Sequence, residues 1–180
     1  MNVLLRALRL LSIVVWVGGL VFFAFVLAPA AFHVLASTHE AGTVVALTLH
    51  LLNEIGHACG FLFLFATAAA WLRLKSNASA RWLLVAEMSL VVLMISATMI
   101  VQASIVPAME RDRIAAGGDV DAAPANNAAR LDFERLHPIS EKVEGAALFV
   151  GLAVVVLMAF EQPAARTTKP ASNAAGSPTR

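Results

Sequence analysis

The sequence predicts an all-α integral membrane protein, a four-helix bundle. Three observations lead there. Charged residues make up 14% of the chain against 59% hydrophobic, with a mean hydropathy of +0.78, and a soluble domain of this size needs more charge than that to cover its surface. The apolar residues are gathered into long runs: residues 10–32 carry no charge, 41–72 only Glu54, 82–108 only Glu87, and 145–160 none. A span needs about 20 such residues, and the fourth run reaches that length if its helix starts near Pro138. Finally, the runs lack the alternation of barrel strands, and backbone groups in lipid must be satisfied within their own segment, which leaves helices.

In chain order, the first helix is expected over residues 8–32. Ser12, Trp16 and Gly19 share one face, Gly18 and Gly19 allow a close neighbour, and Phe22, Phe23 and Phe25 suit lipid contact or packing. Its apolar run exceeds the 7–15 residues of a signal-peptide core, so it reads as a retained helix. The second helix, 43–72, ends at Trp71, an interfacial anchor followed by Arg73 and Lys75. Trp82 opens the third, 82–108, in the same way, so the two form a hairpin. Glu87, Val91, Met94, Thr98 and Gln102 mark one face of the third helix. Glu87 lies near its inner end, placed to reach water or to pair with Arg81. The loop 109–137 is polar and broken by Gly117, Gly118 and Pro124. The fourth helix, 138–160, is expected to start at Pro138 with His137 near its cap. Residues 161–180, rich in Ala, Pro, Ser and Thr, are expected to form a disordered cytoplasmic tail.

The net charge of +1 says little, but its distribution says more. Arg6 and Arg9 precede the first apolar run, Arg73, Lys75 and Arg81 separate the second and third, and Arg166, Lys169 and Arg180 follow the fourth. The loop around residues 33–42 has neither Lys nor Arg, and the four arginines of the long loop are accompanied by six acidic residues. The positive-inside rule then puts both termini in the cytoplasm, and the expected location is an inner membrane. The lipid bilayer is the implied partner, with a second copy or another membrane protein as further candidates. Nothing resembles a basic, aromatic nucleic-acid surface. One cysteine, Cys59, excludes an internal disulfide and a cysteine zinc cage. The methionines share no face and read as gap-fillers rather than a copper ladder.

His50, Asn53, Glu54 and His57 fall within an arc of about 100° on the second helix. Ionisable groups at membrane depth are costly and usually mark a site. His137, Glu141 and Glu144 repeat the spacing of His50, Glu54 and His57 at the start of the fourth run. The candidate ligands are therefore His50, Glu54, His57, His137, Glu141 and Glu144. Their nitrogen and oxygen donors suit a transition metal, Glu54 and His57 have the Glu-x-x-His spacing of di-iron bundles, and paired histidines suit haem. A proton relay through Glu54 or plain interhelical hydrogen bonding are the alternatives. The proposed geometry packs the second helix on the fourth so that the two triplets meet. Sequential hairpin pairing would instead set Glu54 opposite Thr98 and Gln102.

Four motifs carry a resemblance: Trp16-Val17-Gly18-Gly19, Ala28-Pro29, Asn53-Glu54, and Leu136-His137-Pro138-Ile139-Ser140. Over about residues 8–160 the chain resembles a bacterial domain-of-unknown-function family related to transmembrane protein 205-like proteins. Its Trp-x-Gly-Gly opening also looks like that of copper-resistance D-type proteins. The resemblance implies a small four-helix membrane protein without an assigned activity, and carries no ligand set. The sequence reading is thus a structural or binding membrane protein without assigned catalysis. The alternative is a metal- or haem-binding membrane enzyme, a small transporter or a proton relay.

Overall fold

The computed structural model describes residues 3–73 and 78–160. The expected tail, 161–180, and the turn at 74–77 lie outside the described residues. Helix α1 spans Val3–Phe22, α2 Ala28–Val34, α3 Thr38–Arg73, α4 Ala78–Ile100, α5 Val106–Ala115 and α6 Ala128–Ala159. Four segments are long and apolar enough to cross a membrane: Val3–Val34, Thr38–Arg73, Arg81–Ala115 and Ala128–Ala159. The protein is an all-α, multi-pass membrane protein.

Two of these spans contain a π-helical turn, at Phe23–Leu27 between α1 and α2 and at Val101–Ile105 between α4 and α5. Both have one cause. Pro29 and Pro107 follow the turns at the start of the next helix. A proline lacks its N–H, and its ring crowds the carbonyl four residues back. That carbonyl belongs to Phe25 or Ala103, inside the wide turn in each case. The Ala28 N–H reaches back to Phe23 and the Val106 N–H to Val101, so each span continues past its proline.

The helices run further than the apolar runs alone suggest. Arg6 and Arg9, which precede the first apolar run, both lie within α1. The fourth helix begins at Ala128, not at Pro138, which sits in its interior. Asn127 caps it, its Oδ1 accepting from the Ala129 and Arg130 N–H groups at 2.9 and 3.2 Å. The extra turns are held by side chains one turn apart: Arg130 donates to Glu134 at 2.7 Å, and Phe133 stacks on His137 at 5.8 Å. The long loop shrinks accordingly to residues 116–127. Gly117 and Gly118, at φ 97° and 95°, end α5 in a conformation that a β-carbon disfavours. Val120 and Ala123 are buried beneath the loop, and the Thr38 hydroxyl donates to Asp121, tying the start of α3 to it.

The helices form a ring in chain order. α1 packs against α3 and α6, and α4 packs against α3 and α6. The α1/α4 and α3/α6 pairs are therefore diagonals. Ile13, Trp16, Val17, Phe63, Val91, Met94 and Val154 fill the centre, while Phe22, Phe25, Phe65 and Phe149 are exposed on the surface that lipid covers. Close approach depends on two glycines of α3. A β-carbon on Gly56 would fall inside the Trp16 indole, and one on Gly60 would lie 2.8 Å from Trp16 Cζ3 and 2.9 Å from Ile95 Cδ1. On α6, a β-carbon on Gly151 would lie 2.6 Å from a Val17 methyl.

Candidate functional site

Polar side chains cross both diagonals of the bundle, at two depths. The first crossing joins α1 to α4. Arg9, Ser12 and Trp16 share one face of α1, and Glu87, Val91, Met94 and Thr98 share one face of α4; all are buried. The Arg9 guanidinium forms an ion pair with the Glu87 carboxylate, both side chains wholly buried. It also lies over the Phe63 ring of α3, 5.5 Å from its centroid, a cation–π contact. Glu87 was expected to reach water or to pair with Arg81, and it does neither. Arg81 instead covers the Trp71 ring at 4.4 Å, across the α3–α4 turn. Seven residues separate Arg9 from Trp16, so this crossing lies about 10 Å nearer the termini than the second.

The second crossing joins α3 to α6. Asn53 Nδ2 donates to Glu144 Oε1 at 2.8 Å, both residues buried. Asn53 Oδ1, Glu144 Oε2 and the Trp16 indole N–H make no hydrogen bond among the described residues. The His57 ring meets the Trp16 indole edge-on, 6.4 Å between centroids. Its Nε2 lies 2.9 Å from Thr98 Oγ1, which itself reaches the Met94 carbonyl at 2.9 Å. A hydroxyl has a single proton to give; with that proton on the carbonyl, His57 is the donor to Thr98. His50 Nδ1 lies 3.2 Å from Gln102 Oε1, an acceptor, so His50 donates there too. His50 and His57 are thus both donors to the α4 side of the bundle.

The six candidate ligands are not gathered into one group. His50 donates to Gln102 and His57 to Thr98; Glu54 is exposed. His137 and Glu141 are exposed and paired with each other along α6 at 3.3 Å. Only Glu144 is buried in the bundle, with Asn53. Among the described residues no group of three or more His, Cys, Asp or Glu is placed to hold a metal. The reason is angular. Asn53, His57, His50 and Glu54 are fanned in that order around α3. Exposure rises along the same order, from buried Asn53, through half-buried His57, to exposed His50 and Glu54. The inward face is centred on Gly56, Gly60 and Phe63, so the arc enters the bundle only at its Asn53 edge. Helices α3 and α6 are diagonal rather than packed on each other as the proposed geometry had them, and the bond that links them runs from Asn53 to Glu144 rather than between the two triplets.

Arg9 is the residue that sequence reasoning missed, having been taken as a flanking charge. The signal was available: it stands three residues before Ser12 and seven before Trp16, on the face that those two residues mark.

A family model described as a domain of unknown function, DUF4149, matches residues 11–113, more than half of the chain. No curated protein and no solved structure matches. The matched region takes in α2, α3 and α4 whole and most of α1, but not α6 and its Glu144.

Proposed function

Since the chain belongs to the DUF4149 family, whose description assigns no activity, we propose its function from the geometry: a non-catalytic structural or binding module of the bacterial inner membrane. One observation carries this reading. The ionisable side chains at the bundle centre are directed at partners across its diagonals, Arg9 at Glu87 and Glu144 at Asn53. Buried polar pairs of this kind hold one register and one helix order. The Trp16-Val17-Gly18-Gly19 motif supports it as well. Trp16 fills the core, Val17 meets Gly151, and a β-carbon on Gly19 would collide with Leu52. The rival is a metal or haem site, or a proton relay, drawing on His50, Glu54, His57, His137, Glu141 and Glu144.

Purified full-length protein tests the choice. The expected result is a folded, colourless preparation without stoichiometric metal by elemental analysis. A Soret band, or a stoichiometric transition metal lost on His50→Ala or His57→Ala, overturns the structural reading in favour of the rival.

The charge distribution supports a topology with both termini cytoplasmic and the 116–127 loop outside. In a Cys59→Ala background, an impermeant thiol reagent applied from outside should label Gly118→Cys and spare Ser76→Cys. Labelling at position 76 and not at 118 inverts the topology.

A further inference from the structure

A groove of about 360 Å³ runs along the outer surface between α4 and α6. Its walls include Leu93 and Ala97 from α4 and Val143, Ala146 and Val150 from α6, with Lys142 as the one charged side chain lining it. The alanines recess the surface between their larger neighbours.

Depth follows from the rise of the helix. On α6 the groove extends from Ile139 to Val150, about 16 Å at 1.5 Å per residue. A hydrocarbon core is about 30 Å thick, so the groove is about one leaflet deep. Two helices place its inner end near the bilayer midplane. Val150 is about 15 Å from Phe160, the C-cap of α6, and Leu93 is about 16 Å from Trp82, the interfacial anchor of α4. Lys142 then stands near the headgroup boundary of the leaflet away from the termini, whichever compartment that leaflet faces.

Lys142 is exposed, and among the described residues no carboxylate pairs with it. The two acidic residues nearest in sequence are otherwise engaged, Glu141 with His137 and Glu144 with Asn53. An apolar channel one leaflet deep with an ammonium at its headgroup end is complementary to one kind of membrane component. We propose that this groove is a binding site for an anionic glycerophospholipid, one acyl chain lying between α4 and α6 and the phosphate on the Lys142 ammonium. The ammonium supplies the charge selectivity. The long side chain can reach the headgroup level while its methylenes stay on the apolar wall. This goes beyond the proposed function and holds with or without a metal.

Native mass spectrometry of the full chain, released from vesicles of equal phosphatidylglycerol and phosphatidylcholine, tests it. The parent should retain phosphatidylglycerol in preference to phosphatidylcholine. Lys142→Gln should lower that preference roughly fivefold, the worth of one basic residue at a charged membrane surface. Ala146→Phe, which fills the groove from an exposed position, should lower total retained lipid, and the melting temperatures of both variants report that they fold. Equal retention of the two lipids by the parent overturns the proposal. So does a parent-like pattern in both variants, or a protein dimer that excludes lipid from the groove. Metal content and absorbance are read separately, so failure here is distinct from failure of the structural reading.

Discussion

Glu87→Leu is expected to destabilise the bundle by about 3–5 kcal/mol, because it takes the carboxylate from a guanidinium buried at the centre of the helices. The desolvation cost of Arg9 then stays while the attraction of the Glu87 carboxylate, which helps to offset it, is gone. The Phe63 ring, 5.5 Å from the guanidinium, contributes about 2 kcal/mol when desolvated, less than the loss expected. Arg9→Met with Glu87→Leu should recover most of the loss, since an apolar pair of similar volume removes both charges together. Equilibrium unfolding in mixed micelles measures all three proteins. If the double variant is as unstable as the single one, the pair is not the source of the effect. A double variant that is stable but populates more than one helix arrangement would show that the pair's contribution is specificity of packing.

At the other diagonal, Asn53→Ala should cost about 1.5–3 kcal/mol, the range for a hydrogen bond to a charged or strongly polar buried group. It removes the donor to Glu144 and leaves that carboxyl without its cross-bundle bond. Glu144→Gln should behave oppositely. A carboxamide accepts from Asn53 Nδ2 through its oxygen and donates to Asn53 Oδ1 through its nitrogen. Asn53 Oδ1 and the nitrogen that replaces Glu144 Oε2 would then both be satisfied. Stability at or above that of the parent is expected, read in the same unfolding experiment. If Glu144→Gln is as damaging as Asn53→Ala, the carboxyl group itself is required, and the structural reading of this residue fails.

Much of the architecture was legible in the chain because it depends on local composition. Four spans follow from run length, and the inward faces of α1 and α4 follow from side chains spaced three and four residues apart. The α3–α4 hairpin follows from Trp71 and Trp82 at its mouth. Helix ends were less legible. The residues before Pro138 are polar, so an apolar-run criterion stops there. The Asn127 cap and the Arg130–Glu134 pair nevertheless carry the helix on beyond the run. Interior prolines were misleading for a related reason. Pro138 was read as a helix start because proline favours the first turn, yet α6 continues through it.

The candidate site was legible as a list of residues and not as an arrangement. Spacing places His50, Asn53, Glu54 and His57 on one arc of α3, and a difference of about 100° in the facing of that helix decides whether Asn53 or Glu54 enters the bundle. Apolar periodicity does not resolve that angle, because α3 is apolar nearly all round. The glycines resolve it. Gly56 and Gly60 must lie against Trp16, which turns Asn53 inward and Glu54 out.

By itself, then, the sequence determined the environment of the protein, the number of spans and the chemical character of each helix face, all properties of residues close together in the chain. Tertiary structure alone decided which distant polar groups meet: Arg9 with Glu87, and Glu144 with Asn53 rather than with a histidine. The physical reason is that these are diagonal contacts. They form only after four helices have closed into a ring, and the cost of leaving each group unpaired in a low-dielectric core depends on its neighbour across that ring.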